Sequence, residues 1–165
     1  MNQNNNKLHY DQQGLNLTEV SEDSGGPHLT AYKDPTGTWT CGYGHTHGVG
    51  PTTTCTPDMA QIWLQQDVAE AVYTVKMYVD IPLSQEEFDA LVDFCFNVGS
   101  GNFQQSTLLT KLNRRDYIGA LAEFQKWDIS KGQVLPGLKS RRAAEAALFT
   151  LGTDFTQQNP NFPSK

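Results

Sequence analysis

Cysteine is scarce in this chain and odd in number: Cys41, Cys55 and Cys95 are all there are among 165 residues. So few thiols exclude a disulfide-built scaffold. Cys95, in LVDFCF, reads as a small buried hydrophobe, and a bond between Cys41 and Cys55 is left open. Long apolar runs are missing too. No stretch approaches the ~18 residues of a membrane-spanning helix, so stable membrane insertion is not expected. The opening MNQNNNKLHYDQQ lacks the cationic start and apolar stretch of a secretory signal. Positive charge is in deficit, with 12 Lys and Arg against 18 Asp and Glu, a net charge of −6. That balance lacks the cationic footprint of a nucleic-acid binder. It also opposes long-range attraction to an anionic cell wall, which leaves short-range contacts to hold any such substrate.

What remains is an ordinary globular composition, 38% hydrophobic and 18% charged, long enough to bury a core without staples. A weak helical pattern over 12–24 (Leu15, Leu17, Val20) stops at Gly25, Gly26 and Pro27. From Leu29 to Thr46 strand-favouring residues surround the turn Asp34-Pro35-Thr36-Gly37, which predicts a small antiparallel sheet. After the loop His47–Thr54, Thr56 reads as an N-cap with Pro57 at the first helical position and Asp58 at the positive helix end. Apolar residues at helical spacing carry that helix to about Val79, a span of about 35 Å at ~1.5 Å per residue, long enough to bridge two lobes. Pro82 ends it, and Ser84-Gln85-Glu86-Glu87 is a capping box for the next helix, which stops at Gly99-Ser100-Gly101. Further helices are expected over 106–112, 117–127 and 137–151. The fold class is therefore α+β with the helices segregated from a small sheet. Residues 1–11 are expected as a flexible start, 12–152 as a single catalytic domain and 153–165 as a tail. Within the domain, a small lobe covers 25–56, a linking helix 57–80, and a helical lobe 81–152 plus the N-terminal helix.

One hairpin brings Asp34 and Thr40 to the same mouth of the sheet, and a carboxylate beside a hydroxyl can orient a water for attack. An Asp before Pro is also an ordinary turn residue. Cleavage of a glycosidic bond needs a second carboxyl group to protonate the leaving oxygen. Glu19, Glu22 and Asp23 of the first helix are the candidates, with Glu22 nearest the glycine break. Trp39, Trp63 and Trp127 have faces suited to sugar stacking, although Trp63 sits at core spacing. His45 and His47 lie near Cys41 and Cys55, but their spacing fits no standard zinc pattern, so neither metal nor cofactor is expected. His45 reads as a hydrogen-bonding residue that fixes the strand end.

The segment AYKDPTGTWTCGYGHT (Ala31–Thr46) resembles the motif of phage-type lysozymes, the endolysins of glycoside hydrolase family 24. IPLSQEEFDALVDFCFNVGSGNFQQSTLLTKLN is similar to the family's central helices, and GALAEFQKW with GLKSRRAAEAALF to its C-terminal part. The likeness runs from about Leu17 to Leu151, in the family's order, and is far more specific than any one short motif. It implies a lysozyme-like fold: a small sheet lobe, a long helix and a helical lobe, with a glycan-binding cleft. The implied activity is hydrolysis of the β-1,4 bond between N-acetylmuramic acid and N-acetylglucosamine in peptidoglycan.

The family's catalytic set is a Glu, an Asp and a Thr. Asp34 and Thr40 match the last two. The family's register for the Glu lands on Gly25, and the nearest Glu is Glu22, in VSEDSGGPHLTAY, with about three extra residues before Tyr32. Glu22 is taken as the acid with the insertion looped out. The resemblance further implies a glycosidic inversion, with carboxyl groups about 6.5–9.5 Å apart. It pairs Arg141 or Arg142 with the catalytic Glu, against the plainer reading of a surface salt-bridge helix with Glu145. It puts Asn97, Gln105, Ser106 and Thr107 where the helical lobe faces the cleft, with amides and hydroxyls suited to sugar, although each singly reads more plainly as a cap or turn residue. A monomer is expected, kept in the host cytoplasm until a separate holin releases it to the wall. Two other readings use the same scaffold: a glycan-binding protein whose acid is displaced by the insertion, and a lytic transglycosylase, which cleaves without water.

Overall fold

The computed structural model describes residues 2–22, 25–34, 36–130 and 133–155, without the side chains of Glu22 and Ser130. The chain forms two compact units, one of Leu15–Ala69 and one of Met1–Gly14 with Glu70–Lys165.

The smaller unit is built on a hairpin. Strand β1 (His28–Lys33) pairs antiparallel with β2 (Trp39–Gly42), Tyr32 opposite Thr40 and Lys33 opposite Trp39, with an irregularity towards His28. The segment before the next helix runs along the other side of β1, where Ala31 N donates to Thr53 O and Cys55 N to Leu29 O. Gly42 ends β2 with φ +66°, and a Cβ there would press on Ala60 Cβ at 3.2 Å, so both backbone and packing require glycine. Most of helix α1 (Gln12–Glu22) and all of α2 (Pro57–Asp67) belong to this unit. α2 begins as its sequence dictates: Thr56 accepts from Met59 N, with Pro57 in the first turn.

The expected single helix over 57–79 is two. α2 ends at Asp67, and α3 (Ala69–Tyr78) starts after a turn at Val68. The apolar pattern runs through Val68 unbroken, so periodicity alone cannot reveal the interruption.

The larger unit centres on α4 (Gln85–Val98), opened by the Ser84–Glu87 capping box and buried continuously from Glu87 to Cys95. Short α5 (Ser100–Gln104), α6 (Thr107–Asn113), α7 (Tyr117–Phe124) and long α8 (Pro136–Gly152) complete it. Phe94 is the hub of the core, meeting Phe103, Phe124 and Trp127 edge-on. Burial of one such ring contributes roughly 1.5–3 kcal/mol. A second hairpin, β3 (Ile129–Ser130) with β4 (Gln133–Val134), has no strand signal in the sequence. Residues 1–11, expected as a flexible start, are instead anchored where described. Asn5 is buried in a 3-10 turn (Gln3–Lys7), donates to Ile81 O at 2.9 Å, and accepts from Leu83 N at 3.0 Å. The tail beyond Phe155 lies outside the described residues.

Candidate active site

The turn between β1 and β2 is organised around the Asp34 carboxylate. One oxygen, Oδ1, accepts from Thr36 N at 2.8 Å, Thr36 Oγ1 at 2.7 Å and Thr38 N at 2.8 Å. Asp34 N donates to Thr38 O and Gly37 N to Asp34 O. Gly37, at φ +87°, supplies the left-handed residue that closes the turn. The Thr36 hydroxyl and then the Thr38 amide stabilise the ionised form, so the Asp34 pKa falls below its ordinary value of 3.8. Asp34 is therefore a carboxylate at neutral pH with its second oxygen, Oδ2, outside this set of bonds.

Thr40 follows on β2, 4% exposed, its hydroxyl donating to Thr38 O at 3.2 Å. The hairpin thus brings Asp34 and Thr40 to one residue, Thr38. Glu22 is the last residue of α1, in the same unit; its side chain, and with it the Glu22–Asp34 carboxyl separation, lies outside the described residues. Asp23 lies outside them too. Glu19 is already engaged: Gln61 Nε2 donates to its Oε1 in a short hydrogen bond, and Tyr43 Oη to its Oε2 at 3.4 Å.

His45 is buried at the far end of β2. Its backbone exchanges two hydrogen bonds with Cys41. Its Nδ1 lies 2.9 Å from Asp67 Oδ2, and its ring stacks on Trp63 with centroids 4.7 Å apart. Asp67, at the end of α2, had no distinguishing sequence signal. Its partner is 22 residues away, so neither charge pattern nor spacing joins them. Cys41 and Cys55 are free thiols in hydrogen-bond contact, Sγ to Sγ 3.5 Å, beneath the His28 carbonyl. Burial pushes the Cys55 thiol up to about 11.

The remaining expected residues belong to the larger unit. Ser106 does not present its hydroxyl to solvent: it is 3% exposed and caps α6, accepting from Leu109 N at 3.0 Å. This is the cap reading of Ser106, the common use of Ser before a helix. Asn97 accepts from Arg142 Nη2 at 2.9 Å. Gln105 and Thr107 are exposed. The plainer reading of the arginines, a surface salt-bridge helix, needs correcting. Arg142 does pair with Glu145, at 2.6 Å, but both are buried. Arg141 forms a two-pronged pair with Asp93, Nη2 to Oδ1 at 2.7 Å and Nε to Oδ2 at 3.0 Å. Burial and then the nearby Asp93 charge raise the Glu145 pKa well above the usual range, and burial lowers that of Arg142. Of the tryptophans, Trp39 lies under Lys33 Nζ, Trp63 under His45, and Trp127 against Phe94. Among the described residues no three His, Cys, Asp or Glu gather as a metal site.

An antiparallel hairpin bearing an aspartate and a threonine in one unit, and a helical unit built on α4 and α8, are the parts of a lysozyme-like fold. The muramidase domain of SpmX from Asticaccaulis excentricus superposes with a TM-score of 0.80 at 35% identity, over 87% of this chain and 98% of that one. The endolysin of Acyrthosiphon pisum secondary endosymbiont phage 1 is 42% identical over 148 residues, 86% of this chain and 98% of the relative. The endolysin of Bacillus phage PZA is 43% identical over 145 residues, but the chain spans only 55% of its length. The profile of the phage lysozyme family matches residues 22–145. The chain belongs to the phage lysozyme family, a family of glycoside hydrolases.

Proposed function

We propose that this chain is an endolysin, a muramidase that hydrolyses the β-1,4 bond between N-acetylmuramic acid and N-acetylglucosamine of bacterial peptidoglycan during host lysis. The observation that carries the reading is the Asp34–Thr38–Thr40 turn, set within a family match over residues 22–145. Asp34 is the ionised group: three hydrogen bonds on Oδ1 fix its orientation, and Oδ2 is the atom that holds the attacking water. The Thr40 hydroxyl borders the same water. Glu22 is the acid. It protonates the glycosidic oxygen as the bond breaks, while Asp34 stabilises the positive charge that develops on the sugar ring. Attack by water from the face opposite the leaving group inverts the anomeric carbon. Gln105 and Thr107 are exposed polar side chains suited to sugar hydroxyls or N-acetyl groups. The enzyme acts on the wall after release, and a separate holin is the proposed route.

Product analysis tests the reaction. Purified peptidoglycan digested with the protein yields muropeptides with reducing N-acetylmuramic acid ends by mass spectrometry. Products ending in 1,6-anhydro rings would replace hydrolysis with transglycosylation, and an undigested wall would leave a binding protein.

A further inference from the structure

Glu19 takes no part in the steps above, yet its carboxylate ties the last turn of α1 to α2 and to the turn after β2. Leu15 and Thr18 are buried, but after Thr18 the helix has no apolar anchor: Val20 is 69% exposed. Among the described side chains of this turn, the half-buried Glu19 carboxylate supplies two bonds to other elements. Oε1 accepts from Gln61 Nε2 of α2, and Oε2 from Tyr43 Oη. Both donors sit on rigid supports. Gln61 adjoins Ala60, the residue packed against Gly42. Tyr43 is 9% exposed between Gly42 and Gly44, both at positive φ, in the tight turn closed by the paired backbones of Cys41 and His45. That turn follows Thr40 directly along β2. Glu22 comes three residues after Glu19 and ends α1, about one helical turn on.

We propose that Glu19 is a positioning residue of the glycosidase site: through Gln61 and Tyr43 it locks the last turn of α1, the turn that carries Glu22, to the strand that carries Thr40. The inference rests on Glu22 being the acid. A general acid must meet the leaving oxygen within hydrogen-bond reach, and a displacement of about 1 Å can cost ~10²-fold in rate. A polar clamp suits this place because an amide and a phenol fix the direction of a carboxylate, which an apolar contact does not.

The test compares turnover on purified peptidoglycan for the parent and for Glu19→Ala, Glu19→Gln, Tyr43→Phe, the Glu19→Ala/Tyr43→Phe double variant and Glu22→Gln. The assay runs at a temperature where circular dichroism shows each fully folded. Glu19→Ala is expected to lower kcat about 10- to 100-fold with KM within about twofold. Glu19→Gln, which still offers an acceptor, recovers most of that loss. Tyr43→Phe lowers kcat less than Glu19→Ala and adds little to it, as expected for partners in one clamp. Should Glu19→Ala fail to fold, Tyr43→Phe alone decides, its kcat falling at unchanged KM or the proposal failing. Parental kcat in Glu19→Ala, a change confined to KM, or additive losses would overturn it. Parental turnover in Glu22→Gln would instead overturn the assignment of the acid, and the positioning role with it. An inactive Glu22→Gln beside an unaffected Glu19→Ala removes the positioning role alone.

Discussion

Asp34 and Thr40 are joined through one residue. Thr38 donates its N–H to Asp34 Oδ1 at 2.8 Å and accepts the Thr40 hydroxyl on its carbonyl at 3.2 Å, while the same carbonyl takes the Asp34 N–H at 3.0 Å. The carboxylate and the hydroxyl are thereby both tied to the Thr38 backbone, with the Thr36 hydroxyl adding a bond to the carboxylate. A fixed group reorganises little during reaction, which is where electrostatic catalysis gains most.

Replacing the carboxylate should therefore remove catalysis and leave the fold. Asp34→Asn is expected to lower kcat about 10²- to 10⁴-fold, the range for loss of acid–base assistance, while still unfolding in one cooperative transition. Thr40→Val is expected to lower it less, and Thr40→Ser to restore it. Steady-state turnover with differential scanning calorimetry checks both.

The pH dependence has a definite sign. The folded pKa of Asp34 lies below 3.8, so its ionised form is favoured by folding. Its contribution to stability is present above pH 3.8 and is lost as pH falls through the lowered folded value. The acid limb of activity assigned to Asp34 should accordingly lie below pH 3.8, and a kcat/KM profile measured under acid conditions locates it.

Asp89 behaves in the opposite way. It is buried in the larger unit with Oδ2 unpartnered, and desolvation pushes its pKa from 3.8 up to about 7. The folded state thus binds the proton more tightly than the unfolded chain. The stability this gives is full below pH 3.8 and declines as pH rises to about 7. Asp89→Asn, which keeps an acceptor for Gln85 and the Asp11 N–H, should flatten that part of the Tm-against-pH curve. A parental slope in the variant would show that another group is responsible.

The ion-pair cluster of Asp93, Arg141, Arg142 and Glu145 is sensitive to the loss of any one member. Arg142→Ala leaves Glu145, fully buried, without its 2.6 Å partner. Breaking one side of a buried pair costs about 3–5 kcal/mol. Arg142→Met combined with Glu145→Leu, which removes both charges, should be distinctly milder. Urea unfolding of the two variants measures the difference.

What the sequence discloses is local. Thr56-Pro57, the Ser84–Glu87 box and the Asp34–Gly37 turn each carry their instruction within about four residues, and each element starts or turns where they place it. The break at Val68 is hidden because an apolar residue there continues the helical pattern. Ser106 was legible as a cap or turn residue, and it caps α6. The burial of Arg141 and Arg142 was illegible for a different reason. Two adjacent arginines look like a solvated face until Asp93, 48 residues away from Arg141, is brought against them. At the site, Asp34 and Thr40 could be proposed from chain reversal alone, whereas their link through Thr38 and the Glu19 clamp needed coordinates.

The most direct measurement is the turnover of Glu22→Gln on purified peptidoglycan, beside a melting curve for the same variant. With Glu22 as the proton donor, turnover falls by about 10²- to 10⁴-fold while the melting temperature stays at the parental value. A folded Glu22→Gln variant that still cleaves the wall at the parental rate would contradict the account, because the leaving oxygen would then be protonated by another group.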